Sequence, residues 1–300
     1  MDTSVVVPTL NARDQLSGCL DALSDHAPEA EVIVVNGPSS DGTTGMVRDR
    51  DDVDVLVELA DRRIATARNA GIDRARGDAV AFVDHTATVT AGWRDAIEQA
   101  LGSAAVATGP TVSHADETNE TTAPESRTIA GRDVSYFNPG NVVFDRAVLD
   151  ELDGYDEFLE IGASRDLAHR LAAQSYDIRW SDGMELTRRV GTDGGERRTD
   201  WGWKYRSLAY RLVKNYSLRP TVFRRLVFHA GSDCLTELRA VGQGDTRPSE
   251  WFGTGKGVLT NMAAGIKEGL SARRHDRTIR RNPSGRSART DRAVAIYDWR

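Results

Sequence analysis

The sequence predicts an α/β fold in which a mostly parallel sheet is flanked by helices and followed by a helical, basic C-terminal region. Short apolar, β-rich runs alternate with helical patterns through residues 1–110, the pattern of strands joined by crossover helices. Beyond residue 190 the alternation gives way to long helical periodicities. Charge divides at the same place: residues 1–187 hold 15 basic against 34 acidic side chains, whereas residues 188–300 hold 24 against 11. These observations place an α/β domain at 1–190 and a helical, basic region at 191–300. Halves of opposite sign predict two surfaces with different partners.

In order, Ser4–Val7 reads as the first strand. Pro8, Thr9, Leu10 and Asn11 turn out of it into a helix with Leu16, Cys19, Leu20 and Leu23 on one face. Glu31–Val35 is the second strand and runs into a loop from Asn36 to Gly42 that is dense in turn residues. Val53–Val57 is a third strand, Ala65–Ala75 a helix ended by Gly77, and Ala79–Val83 a fourth strand that delivers Asp84 at its carboxyl end. Residues 113–131 are polar and aperiodic and read as a mobile loop beside the site. A strand at Asn141–Phe144, a helix at Arg146–Leu152, a helix at Asp166–Ala173 and a strand at Tyr176–Trp180 complete the domain.

In the second region Trp201, Tyr205, Leu208, Leu212 and Tyr216 share one helical face, with Lys204, Arg211 and Lys214 around it. Similar patterns run through Phe223, Leu226, Val227, Ala230, Cys234 and Leu238, and through Phe252, Leu259, Met262, Ile266 and Leu270. The tail from Ser271 carries 9 Arg against 3 Asp and breaks at Asn282, Pro283 and Gly285.

Composition narrows the function classes. At 300 residues, 39% hydrophobic and 28% charged, the chain is a soluble globular type. No apolar stretch approaches the roughly 18 residues a membrane helix needs, so membrane contact is expected to be peripheral. The start lacks a secretory signal, which predicts a cytoplasmic location. Cys19 and Cys234 are too few for a disulfide framework. The sequon at Asn119 is expected to be fortuitous in a cytoplasmic chain. No nucleic-acid module is recognised, and a nucleic-acid partner is not expected.

In an open parallel sheet a ligand sits beyond the carboxyl ends of the strands. Thr9 with Asn11, Asn36 through Asp41, and Asp84 all land there. Singly each is ordinary turn chemistry; gathered from three strands they form a candidate site.

The segments Val6-Val7-Pro8-Thr9-Leu10-Asn11, Val35-Asn36-Gly37-Pro38-Ser39-Ser40-Asp41-Gly42-Thr43, Ala67-Arg68-Asn69-Ala70-Gly71 and Gly77 through Asp84 resemble the successive signatures of family 2 glycosyltransferases. Asp153-Gly154-Tyr155-Asp156-Glu157 and Arg165-Asp166-Leu167-Ala168-His169-Arg170-Leu171 resemble that family's acceptor-side segment. The likeness covers residues 3–182 in order. More loosely, Asn282-Pro283-Ser284-Gly285 and Asp291-Arg292-Ala293-Val294 resemble archaeal members that add hexuronic acid to dolichol-linked glycans for surface-layer proteins.

The resemblance implies an inverting, GT-A-like enzyme with Asp166 as catalytic base, held at a helix start and kept ionised by Arg165. Pro8, Thr9, Asn11, Asn36, Asp41, Arg68 and Asp84 would bind a nucleotide-sugar donor, expected to be UDP-linked. Asn36 stands where the family has an Asp at the uracil edge, and Arg68 would approach the diphosphate. Asp156 and Arg165 would lie on the acceptor side. Asp84, with His85 a further candidate ligand, would hold Mn²⁺ or Mg²⁺ against the leaving diphosphate. The segment reads Asp84-His85-Thr86, so the second acid of the family's metal motif is missing.

The expected acceptor is a lipid-phosphate-linked glycan at the cytoplasmic face of the cell membrane. Trp201, Trp203, Tyr205 and Tyr210 with nearby cations would dock on anionic lipid, unless they form a helical subdomain packed on the core. The competing functions are a nucleotidyltransferase and a catalytically silent nucleotide-sugar-binding subunit.

Overall fold

The computed structural model describes residues 1–113, 120–188, 200–243 and 248–300, with the side chains of 234–243 and 248–254 left aside. Asn119 and the side chains of Cys234, Leu238 and Phe252 therefore lie outside the described residues.

The chain opens with β1 (Thr3–Thr9), α1 (Arg13–His26), β2 (Glu31–Asn36), α2 (Thr43–Arg48), β3 (Val55–Leu59), α3 (Ile64–Ile72) and β4 (Ala79–Val83). It continues through β5 (Ala87–Val89), α4 (Trp93–Leu101), β6 (Val106–Thr108), β7 (Thr111–Ser113), β8 (Glu125–Ile129), β9 (Arg132–Tyr136) and β10 (Asn141–Asp145). Then come α5 (Arg146–Glu151), α6 (Ala163–Ala173), β11 (Ile178–Trp180), β12 (Leu186–Arg188), α7 (Trp201–Tyr216), α8 (Pro220–Gln243), α9 (Pro248–His275) and β13 (Ala293–Asp298).

The main sheet has the order β11-β6-β10-β4-β1-β2-β3-β13. Pairing is parallel from β4 through β3; β10 runs antiparallel between β4 and β6, and β13 runs antiparallel on β3. Because β1 and β4 are buried on both faces they read as unbroken apolar runs. The register pairs Thr9 with Asn36, so both strands end at one level. That shared rim is where the loops of the site converge.

Among the described residues no helix is long and apolar enough to cross a membrane.

Four features depart from the sequence expectation. Residues 125–136 form a β8–β9 hairpin rather than loop, turning through Ala130 and Gly131, both at positive φ. Two consecutive left-handed residues suit a tight hairpin turn, but β8 is polar and mostly exposed, so it carries no apolar alternation to read. Helix α6 starts at Ala163, three residues early, with Gly162 at φ 82° as its N-cap. The tail is not all helical, since β13 completes the sheet edge. Finally, the aromatic face of α7 is core: Tyr205, Tyr210, Leu212 and Tyr216 are buried. Helix α9 packs alongside, and Gly265 and Gly269 make this possible, because a Cβ there would lie 2.2 Å from the Arg206 carbonyl oxygen and 2.7 Å from that of Tyr210.

The charge division is also largely internal in the tail. Arg286 pairs with Asp73 at 2.9 Å and Asp150 at 2.5 Å, Arg292 with Asp73 at 3.0 Å, and Arg289 with Glu157 at 3.1 Å. Arg292 also bonds Glu157, and Arg300 bonds Glu31. Much of the basic surplus thus binds the acidic half of the same chain. In the tail, then, the two halves are electrostatic partners of each other.

Candidate functional site

The loops after β1 and β2 are knitted together by the residues expected to bind the donor. Asn11, at φ 51°, accepts from the Ser40 N–H through its side-chain oxygen at 2.8 Å, and its own N–H donates to Ser39 Oγ at 2.8 Å. Asp41 accepts from the Thr43 N–H and hydroxyl with one oxygen and from the Arg13 N–H with the other. It thereby satisfies a donor at the start of α1, whose N-cap Ala12 has no side chain for that task. Asn36 is fully buried; its amide donates to Thr44 Oγ1 at 2.9 Å and accepts from Ser39 Oγ at 2.6 Å. These bonds make Asn36 part of the loop's own framework, with its side chain buried beneath the rim. Thr9 is different: its hydroxyl is buried without a hydrogen-bond partner at the end of β1.

Asp84 leaves β4 one-third exposed. One carboxylate oxygen accepts from the Thr86 N–H and hydroxyl at 2.9 and 2.8 Å, so the other is open to a ligand. Burial pushes its carboxyl up, but His85, the Thr86 donors and Arg188 outweigh that and hold it below its usual value. His85 Nδ1 lies 3.1 Å from the Pro8 carbonyl oxygen, which fixes the ring. Gly140 lies against Asp84: a Cβ there would come within 2.9 Å of the Asp84 Cβ. Beside it Arg68, only 5% exposed, donates to the Pro139 carbonyl at 2.6 Å and to Ser164 Oγ at 2.8 Å, and its Nε has no partner. Its guanidinium lies 5.1 Å from the Tyr155 ring centre.

Asp156 and Asp166 do not face this cleft, although both were expected at the site. Each is fully buried. Asp166 accepts from Arg170 Nε and Lys214 Nζ, both at 2.8 Å, on one oxygen and from Asn215 at 2.8 Å on the other. Asp156 accepts from Lys214 at 2.6 Å, Tyr210 at 2.9 Å and the Phe158 N–H at 3.0 Å. Arg170 is spent further on the carbonyls of Leu152 and Gly154. Two acids and two bases thus balance inside the protein. Burial pushes the Asp166 carboxyl up, yet the Lys214 and Arg170 charges overcome it and hold the group well below the usual carboxylate range. Helix α6 starts three residues before Asp166, so the residue does not cap the helix: it lies in the first turn, on the face buried against α7. Ser164 and Arg165 line the cleft instead.

That cleft is a cavity of about 930 Å³ between α3, the β8–β9 hairpin, the start of α6, and helices α7 and α8. Arg68, Pro139 and Ser164 form its wall toward Asp84. Its carboxylates are Glu160, which has no ion pair within 4 Å among the described residues, and Glu125, which pairs with Arg165 at 2.7 Å.

Residues 4–151 match the model of glycosyl transferase family 2. This segment is a family 2 glycosyltransferase domain. Curated relatives agree over a shorter stretch. Glycosyltransferase AglE of Haloferax volcanii is 33% identical over 88 residues, 27% of this chain and 29% of AglE. TuaG of Bacillus subtilis is 33% identical over 86 residues, 27% of this chain and 34% of TuaG. These matches thus span about a third of each relative's length.

Solved structures extend the likeness to the whole fold. S. aureus TarS 1-349 in complex with UDP-GlcNAc has a TM-score of 0.63 at 18% identity, covering 91% of this chain and 84% of that one. The mannosyltransferase PcManGT of Pyrobaculum calidifontis, with GDP-Man and Mn²⁺, has a TM-score of 0.51 at 18% identity, covering 92% and 88%. The glycosyltransferase domain therefore has the GT-A architecture expected of it.

Some GT-A proteins use a divalent metal, and the residues here fit one in part. Among the described residues no group of three or more His, Cys, Asp and Glu is placed to hold an ion. Asp84 offers its free oxygen. With Nδ1–H donating to Pro8, His85 offers Nε2. One carboxylate with substrate phosphates is within what Mg²⁺ commonly takes, and an imidazole nitrogen suits a transition ion such as Mn²⁺ better.

Sequence reasoning missed Pro139, Gly140, Ser164 and Glu160, which carry no chemical signature apart from their neighbours. It also read Lys214 as part of a basic surface. The Asp166 and Arg170 spacing of four residues was a visible sign of an intrahelical pair.

Proposed function

We propose that the protein transfers a sugar, with inversion, from a UDP-linked donor to a polyprenyl or dolichyl phosphate-linked glycan at the cytoplasmic face of a membrane. The observation that supports this best is the continuity of Asp84, Gly140, Pro139, Arg68 and Ser164, which joins the strand-end rim to the large cleft. A donor diphosphate on that rim places its anomeric carbon at the cleft mouth. TarS and PcManGT, complexed with UDP-GlcNAc and GDP-Man, support a nucleotide-sugar on this fold. The transferred sugar is taken to be a hexuronic acid on the likeness of the tail to archaeal hexuronic acid transferases, since Arg165 in the cleft is already paired with Glu125.

Asp84, with His85, would hold Mn²⁺ or Mg²⁺, which offsets charge on the departing diphosphate. Arg68 adds a second positive charge on the same side. Asp166 is excluded from water, so taking the acceptor proton falls to Glu160, the cleft carboxylate free of an ion pair. Asp166 acts as a positioning residue through α6. The incomplete metal motif favours one alternative, a subunit that binds nucleotide-sugar without consuming it.

The test is incubation of the full chain with a panel of nucleotide-sugars, a polyprenyl-phosphate-linked acceptor and Mn²⁺, with identification of the nucleotide released. Nucleoside diphosphate is expected; pyrophosphate would mean nucleotidyl transfer, and binding without release the silent subunit. Glu160→Gln is expected to lower kcat by about 10²-fold or more with donor Kd unchanged. An unchanged kcat removes Glu160 from the mechanism.

A further inference from the structure

Within the cleft the cations are unevenly paired. Lys204 is neutralised by Asp233 at 2.7 Å and Arg165 by Glu125 at 2.7 Å. Arg211 and Arg225 have no acidic partner within 4 Å among the described residues, although both line the cavity. The Arg211 Nε also lacks any hydrogen-bond partner. Its guanidinium stands at Gly162, where a Cβ would be 2.7 Å from Nη1, and Gly162 is the N-cap of α6. A cation parked beside the positive end of an eleven-residue helix is repulsive unless an anion lies between them. Burial pushes the Arg211 guanidinium down to about 10, and the charges of Arg165 and Arg225 add to the fall. The group stays charged at neutral pH and unneutralised.

The same cavity leads to an apolar surface. Ile129, Arg225 and Phe228 line both it and a neighbouring cavity of about 500 Å³ between the β8–β9 hairpin and α8. Phe228 is 72% exposed, and Phe223 and Val227 on the same helix are 63% and 52% exposed. Positive charge deep in the cleft and apolar side chains at its exit match one kind of ligand, an amphiphile with an anionic head.

We propose that Arg211 and Arg225, with the first turn of α6, bind the phosphate of a lipid phosphate acceptor, whose hydrocarbon chain leaves past Phe228 along α8. This deepens the acceptor assignment above and rests on it. It moves the lipid contact from the aromatic face of α7, where Tyr205 and Tyr210 are buried and Trp201 and Trp203 half-buried, to α8.

Binding is tested on the purified full chain by calorimetry with three probes: decyl phosphate and decyl glucoside, both below their micellar concentrations, and inorganic phosphate. Decyl phosphate is expected to bind at least about tenfold more tightly than either other probe. In Arg211→Gln/Arg225→Gln its affinity falls about tenfold or more, and Arg211→Lys/Arg225→Lys recovers most of it. Phe228→Ser weakens decyl phosphate roughly fivefold and leaves inorganic phosphate unchanged. Equal affinity of inorganic and decyl phosphate overturns the chain path in favour of a free anion. Decyl phosphate affinity that is the same in the wild type and the Gln variants overturns the proposal. UDP binding, measured in parallel, is expected to be unchanged in every variant. Loss of UDP binding by the wild type itself would instead remove the glycosyltransferase reading.

Discussion

Lys214→Met is expected to destabilise the protein by about 3–5 kcal/mol, the cost of leaving buried charge uncompensated. Lys214 bridges Asp156 and Asp166, at 2.6 and 2.8 Å, and all three are fully buried. Without it two carboxylates share a water-free site with Arg170 as the remaining cation. The melting temperature should drop on the order of 10 °C in a thermal melt followed by circular dichroism. Asp166→Asn should cost less, since an amide keeps the bonds to Arg170 and Asn215 in part. Its signature is in pH. The Asp166 carboxyl is depressed in the folded protein, so its contribution is fully present above the unfolded value of about 4 and is lost as pH falls below it toward the folded value. Urea midpoints measured from pH 6 down to pH 2 should therefore fall less steeply in Asp166→Asn than in the wild type. Equal slopes would mean that Asp166 is not ionised in the fold.

Asp84→Asn is expected to lower transfer about a hundredfold or more, the scale of removing a group that stabilises developing charge. The Thr86 bonds survive in the amide, so the fold should hold while the open oxygen loses its charge. Donor binding titrated with and without Mn²⁺ separates the effect: wild-type affinity should rise with the ion and that of the variant should not. Gly140→Ala approaches the same carboxylate from behind. Its new methyl would sit 2.9 Å from the Asp84 Cβ, so the two must move apart, and displacing Asp84 should cost about tenfold or more in rate together with a lower melting temperature. Wild-type kinetics in both variants would take Asp84 out of the site.

Much of the architecture was legible because burial writes itself into sequence. Parallel central strands must be apolar on both faces, and their ends must turn, so β1, β2 and β4 announced themselves together with Thr9, Asn36 and Asp84. Chemistry at those ends was harder to read, because Asn36 and Asp41 satisfy neighbouring loops with the same atoms that would satisfy a ligand. The acid in the Arg165-Asp166-Leu167 stretch shows the limit most clearly. It lies in the first turn of α6 but on the face that α7 covers, and its partners Lys214 and Asn215 come from a helix distant in sequence. The β8–β9 hairpin and β13 escaped for another reason: both are half-exposed edge elements, where apolar periodicity is weak.

The strand on the edge of β3 has a bearing on how the chain reaches this state. Arg48 and Tyr297, whose side chains meet there, are 249 residues apart. Joining segments so distant carries a large loop-closure entropy, and such contacts form late. Until they do, β3 exposes unpaired backbone able to recruit another molecule. Aggregation during refolding should therefore begin at β3, before the tail has docked.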